Sequence, residues 1–284
     1  VASRSRARRT VAFAVGHAPG VLRQLDLPLR SRIPRRLAAW ITERAQRDLM
    51  CRADVAVVNS EALQRRYLPM RPDVTLVRTS TREARFQHRA DDRLDRDVVR
   101  FMLCGRVAEP KGIYEALDTF AHVRAAHLPN AELHVVGDGE HRTALERRVD
   151  EMGLRSASTF HGWVRSGEDL FALYREMDVL LHLSYAESFP RTVWEALAHS
   201  VLVVCTPVGG LADAFDDGTH VMFVPPRDAD AAAGAIVRLI EDPSLRKRLI
   251  DAGFASSHEA SLEHVSDRLS ELMADRMPEL RTTS

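Results

Sequence analysis

A chain of 284 residues, 45% hydrophobic and 28% charged, has the profile of a soluble globular protein with one large core or two modest ones, and excludes a disordered chain. No apolar run approaches the roughly eighteen residues of a membrane-spanning helix, and Val11–Val15, after a basic start, is too short for a signal-peptide core. Forty basic and forty acidic residues cancel overall, yet residues 1–95 hold 20 Arg and 10 acidic residues (+10) while residues 96–284 hold 20 basic and 30 acidic (−10), which predicts two units with different surfaces.

In chain order, the Arg clusters at 4, 6, 8, 9 and 30, 32, 35, 36 come first. They either attract anionic lipid or an anionic acceptor, or form the solvated faces of a protein in which 38 of 40 basic residues are Arg. Val11–Val15 reads as a strand, and Ala53–Ser60 as another strand with its turn. Asp91–Asp97 is a charged linker at the charge division. From Val98 strands and helices alternate. Val98–Cys104 is a strand and Lys111–His127 a helix with Ile113, Ala116, Leu117 and Phe120 on one face. Glu132–Val136, Thr159–Phe160, Val179–Leu183, Val201–Cys205 and Met222–Val224 are further strands. Helices follow to Met152, over Leu170–Met177, Pro190–His199, Asp230–Glu241 and Ser244–Ala255, and finally over Leu262–Met277. This order predicts an α/β protein with a doubly wound parallel sheet covered on both faces. The expected division is 1–95 and 96–284. In such sheets ligands bind at the carboxyl ends of the strands.

Four strand-end turns carry candidate chemistry. Gly105–Gly112 sets Arg106 and Lys111 near a helix start, where free amides and the dipole favour an anion such as a diphosphate. Lys111 is one of only two lysines in an Arg-rich chain, as if a compact ammonium were required there. Gly137-Asp138-Gly139 permits a sharp turn and close approach of a ligand. In Glu187–Ala196, Ser188 is the expected N-cap and Pro190 suits the first turn, with Glu187 just before the helix and Glu195 about two turns in. Two carboxylates so spaced would reach from a hexose to a ribose across a diphosphate. Gly209-Gly210 is either a small backbone nest for phosphate or an ordinary tight turn. Each turn alone has an unremarkable surface-loop or helix-cap reading; their occurrence in order, each behind a strand, does not.

The run GRVAEPKG, VVGDGE, FHGWV, ESFPRTVWE, TPVGGL and VPPRD over Phe101–Gly253 resembles glycosyltransferase family 4, the retaining GT-B class of glycosyl transferases group 1. Upstream, Ala53–Ser60 resembles the last strand and turn of that family's first domain. The resemblance implies a C-terminal Rossmann-like domain that binds a nucleotide-diphosphate sugar, and a partial N-terminal, acceptor-side domain. It implies that Arg106 and Lys111 grip the diphosphate, that Glu187 holds the transferred sugar and Glu195 the ribose. Phe189, Pro190, Arg191, Gly209 and Gly210 would touch phosphate or sugar, with the glycine turn of Gly137 and Gly139 beside them and the base near Trp163 and Val164. His17 matches the family's first-domain histidine near the acceptor. The implied reaction retains anomeric configuration, needs no cofactor and no essential metal, and delivers the sugar to a saccharide or lipid-linked acceptor in polysaccharide biosynthesis.

Departures from the family pattern are also visible. Ser200 and Leu202 replace a usual glycine and proline, Ala212 and Asp213 a proline and glutamate, and Thr79–Arg82 stands at the hinge. Only about three strands precede the linker and the first residue is Val, so an incomplete first domain is expected. The alternative reading is therefore a non-catalytic or partner-dependent nucleotide-sugar-binding relative. Nucleic-acid binding rests on the charge of residues 1–95 alone, with no recognised motif, and is not expected. Three separated cysteines fit a reducing, cytoplasmic setting, with peripheral contact to the inner membrane face through the Arg-rich part.

Overall fold

The computed structural model describes residues 10–14, 35–78, 86, 88–89, 94–187 and 190–277, with the backbone alone for residues 35, 36, 38 and 39. His17, the Arg cluster at 4–9, the hinge at 79–82, Ser188 and Phe189 lie outside them. The chain divides into two units, residues 1–79 with 263–284, and residues 80–262.

In the first unit, β1 (Val11–Ala14), β2 (Val55–Val58) and β3 (Thr75–Leu76) form a parallel sheet in that order. Ala53–Ser60 is thus not the last strand: β3 follows it. Helix α1 (Arg35–Arg52) and α2 (Glu61–Tyr67) connect the strands, and Ser60 caps α2 through the Leu63 amide. Val55 and Val57 project from one face of β2 onto Val265 and Met277, Ala56 and Val58 from the other onto Leu63 and Tyr67. The period of two in a strand lets four consecutive apolar residues serve two cores.

The second unit is built on a six-stranded parallel sheet: β4 (Arg100–Cys104), β5 (Glu132–Val136), β6 (Ser158–Gly162), β7 (Val179–His182), β8 (Leu202–Cys205) and β9 (Met222–Phe223). Their spatial order is β6-β5-β4-β7-β8-β9. Phe101, Leu103, Val179, Leu181, Leu202 and Val204 face one layer, formed by α3 (Ile113–Ala126), α4 (Arg142–Glu151), α8 (Ala229–Glu241) and α9 (Pro243–Ser257). Met102, Leu180, Val203 and Cys205 face the other, with α5 (Glu168–Glu176), α6 (Arg191–Ala198) and the short α7 (Leu211–Ala214). Asp228 and Asp242 cap α8 and α9 by accepting the amides of Ala231 and Leu245 at 2.8 and 2.9 Å. A last helix, α10 (Leu262–Arg276), closes the described chain.

Two local expectations change. Lys111 does not open the long helix: Glu109–Lys111 is a separate 3-10 turn, and α3 begins at Ile113. The helix expected from Pro190 starts at Arg191 with the extended Pro190 at its N-cap, so Glu195 sits about one turn in rather than two. Ser200, at a usual glycine position, keeps a left-handed φ of +57°, and its hydroxyl accepts the Arg89 amide at 3.0 Å. Among the described residues no helix is long and apolar enough to cross a membrane.

Candidate functional site

The second sheet reverses direction at its centre. From β4 the chain moves outward to β5 and β6, then returns to β7 on β4's other side. The loops at the carboxyl ends of β4 and β7 therefore part, and a crevice opens between them. A cavity of about 500 Å³ occupies this place, within the range of small-ligand sites. Its lining includes Gly105 behind β4, Lys111 from the 3-10 turn, Gly137 behind β5, Trp163 and Val164 behind β6, and His182 and Glu187 at β7. Pro190, Arg191, Thr192 and Glu195 of α6 line it too.

The loops around the cavity lock together by close backbone approach. Gly137 has φ +129°, and a β-carbon there would lie 1.8 Å from the Gly105 carbonyl oxygen. Gly209 has φ +63°, with a hypothetical β-carbon 2.5 Å from the Glu187 carbonyl oxygen. Only glycine fits either place. Gly209 thus supports the Glu187 loop and Gly139 packs against Val107, and neither they nor Gly210 are among the residues lining the cavity.

Glu187 is the electrostatic centre. Its side chain is only 10% exposed. Its Oε1 accepts Lys111 Nζ at 2.5 Å and Ser184 Oγ at 2.8 Å, and His182 Nε2 lies 3.3 Å from the same oxygen. Burial alone would raise the Glu187 carboxyl, but His182 and Lys111 outweigh it and hold the group at about 2. His182 Nε2 stands close to Glu187 but makes no aligned hydrogen bond, having no hydrogen-bond partner among the described residues.

Glu195 lies deeper, 4% exposed, where Tyr174 Oη donates to its Oε2 at 3.2 Å. Burial, with Cys104 and Glu195 nearby, pushes the Tyr174 hydroxyl well above its ordinary range, so it stays a donor. Burial likewise lifts the Cys104 thiol to about 12, which makes it an inert wall of the cavity.

Arg106 stands apart from this arrangement. It lines a smaller cleft that adjoins the cavity and shares Lys111 and His182 with it; its guanidinium is more than half exposed, 3.9 Å from Glu140. The structure therefore brings Lys111, Glu187, Glu195, Gly137, Pro190, Arg191, Trp163 and Val164 to one cavity and puts Arg106 beside it, whereas Gly139, Gly209 and Gly210 do not line it. Sequence reasoning missed His182, Ser184, Thr192, Tyr174 and Cys104. His182 is visible in the sequence only as the one polar residue within the apolar run Val179–Leu183, where it reads as core.

Fold and cavity together define a Rossmann-type α/β protein with a mixed-charge crevice at the sheet's switch point. Residues 84–255 match the family described as Glycosyl transferases group 1, and the chain belongs to that family. It is 29% identical over 181 residues to the lipopolysaccharide core biosynthesis glycosyltransferase LpsE of Rhizobium meliloti, covering 63% of this chain and 51% of that protein. It is 32% identical over 157 residues to mannosylfructose-phosphate synthase of Agrobacterium fabrum, covering 52% and 34%. Among solved structures, HepE of Anabaena in complex with UDP and glucose superposes with a TM-score of 0.72 at 18% identity, over 94% of this chain and 72% of that one. Sucrose-phosphate synthase of Thermosynechococcus elongatus gives 0.71 at 25% identity, over 93% and 67%. The fold is of the GT-B type. The chain spans between a third and about half of the length of the curated relatives it matches.

Proposed function

We propose that this chain carries the donor site of a retaining family 4 glycosyltransferase, which moves a sugar from a nucleotide-diphosphate sugar to a saccharide or lipid-linked acceptor in polysaccharide biosynthesis. The observation that carries this reading is the convergence of Lys111, Glu187 and Glu195, from three separate elements, on one cavity. Lys111 meets the diphosphate and Arg106 reaches it from the adjoining cleft; together they stabilise the charge that develops on the leaving nucleotide. The amides of the first turn of α6 face the same phosphates. Glu187 accepts hydroxyls of the transferred sugar, Glu195 those of the ribose, and Trp163, 75% exposed at the rim, lies beside the base.

In the transfer the bond from the anomeric carbon to the β-phosphate oxygen breaks and a bond to the acceptor oxygen forms. The acceptor proton passes to the departing phosphate, on the same face of the sugar, so configuration is retained. Lysine and arginine supply the positive charge, and no essential metal or cofactor enters the scheme. The first unit belongs to the acceptor side, with His17 near the acceptor, and the Arg-rich N-terminal part makes the peripheral membrane contact. HepE was solved with UDP and glucose, which makes UDP-sugars the first donors to try. The test is product formation by the 284-residue chain with nucleotide sugars and oligosaccharide or lipid-linked acceptors. Glu187→Ala, with folding retained, is expected to abolish it. Donor binding without turnover would favour the non-catalytic, partner-dependent alternative, and no response to any nucleoside diphosphate would reject both.

A further inference from the structure

We propose that His182 is a positioning residue of the donor site, whose Nε2–H holds the Glu187 carboxylate in place when Lys111 is drawn to the donor phosphates. The assignment rests on the donor reading above. His182 closes β7, its side chain only 7% exposed, in a strand whose other side chains are all apolar. A buried imidazole needs partners at both nitrogens. Nδ1 lies 3.4 Å from Thr192 Oγ1, in the first turn of α6, while Nε2 is still without a hydrogen-bond partner among the described residues and faces Glu187 Oε1 at 3.3 Å, near enough to become its donor on a small turn of either side chain. When the Thr192 hydroxyl donates to Nδ1, the ring proton resides on Nε2 and points at the carboxylate. β7 and α6 are thereby linked through one ring that stands beside Glu187.

The carboxylate is approached asymmetrically. Lys111, Ser184 and His182 all crowd Oε1, whereas Oε2 has no hydrogen bond or ion pair among the described residues. Oε2 is the atom left for a sugar hydroxyl. Binding a diphosphate changes this balance, because the ammonium that neutralises Glu187 must also serve two phosphates. A buried carboxylate beside a new anion, with its cation shared, is pushed towards protonation. Protonated Glu187 loses acceptor capacity at the moment the sugar needs it. Ser184 supplies only a neutral hydroxyl. His182 is the remaining group from the sheet, and its contact does not depend on Lys111. The other charged and titratable groups facing this space are Arg191 and Glu195 from α6, Cys104 from β4 and Arg106 from the adjoining cleft. None of them has a hydrogen bond or ion pair to Glu187 within the site.

Nucleotide and sugar therefore separate the role from mere packing. The experiment titrates the 284-residue chain calorimetrically with UDP and with UDP-glucose, and with the GDP and ADP pairs, across a pH series. In His182→Met, which fills the space without a donor, affinity for the nucleoside diphosphate is expected to stay within about twofold, while that for the nucleotide sugar falls at least about tenfold, the loss of one hydrogen bond to a charged group. The acid limb of nucleotide-sugar binding is expected to move to higher pH, since Glu187 then protonates sooner. His182→Gln, which restores an N–H near the Nε2 position, is expected to recover most of the difference. Equal loss of both ligands with a lowered Tm, or no loss of either, would overturn the assignment. A wild-type chain that responds to no nucleotide and no nucleotide sugar would overturn the donor reading, and this assignment with it.

Discussion

Replacing Glu187 by glutamine removes one charge and little volume, and its effect depends on which of two opposed forces dominates the site. Burial disfavours the carboxylate; Lys111, His182 and Ser184 favour it. Holding the group at about 2 instead of its ordinary 4.5 makes ionised Glu187 worth about 3 kcal/mol of folding stability, at about 1.4 kcal/mol per tenfold. Because the folded value is depressed, that stability is present above pH 4.5 and is lost as the pH falls through about 2. Glutamine mimics the protonated acid, so Glu187→Gln is expected to lose about 3 kcal/mol at pH 7. In a unit of the size of residues 80–262 this is a fall in Tm of about 6–12 °C. The gap is expected to shrink to about half near pH 3. Thermal unfolding followed by circular dichroism, wild type against variant at both pH values, reads it directly. A variant as stable as wild type at pH 7, or more stable, would mean that desolvation outweighs the three partners and would refute the electrostatic description of the site.

Lys111→Met is expected to weaken nucleoside diphosphate binding by about ten- to a hundredfold, the loss of hydrogen bonds from a charged group, as read by calorimetry. Gly209→Ala forces a β-carbon to 2.5 Å from the Glu187 carbonyl oxygen at φ +63°; it is expected to cost about 1–3 kcal/mol in thermal unfolding and to lower nucleotide-sugar affinity with it. Transfer activity is expected to be unchanged in excess EDTA, measured as product formed per unit time, and a loss restored by a divalent cation would contradict the metal-free scheme.

Much of the second unit was legible because each strand ends in a chemically distinct turn. An apolar run into Gly105 or Gly137 marks both a strand and its carboxyl end, and once the sheet is doubly wound those ends converge. What stayed hidden depends on geometry within the turns. Arg106 and Lys111 lie five residues apart in one loop, yet the 3-10 turn at Glu109–Lys111 brings only the lysine to the main cavity. Ser188 reads as the N-cap of α6 with Pro190 in its first turn, but the extended backbone of Pro190 makes it the N-cap and delays the helix to Arg191. His182 was concealed by its own strand, where an apolar context makes a histidine read as core. The company kept by α10 was equally unreadable. Val265 packs on Val55 and Val57, and Arg276 pairs with Asp73, contacts across about two hundred residues that no local pattern encodes.

A crystal structure of the chain grown with a saturating nucleoside diphosphate tests the central claim most directly. The diphosphate is expected in the cavity between β4 and β7, with Lys111 Nζ and the first amides of α6 on its oxygens and the ribose towards Glu195. A nucleotide bound elsewhere on the chain, with the Lys111–Glu187 pair undisturbed and the cavity empty, would contradict it.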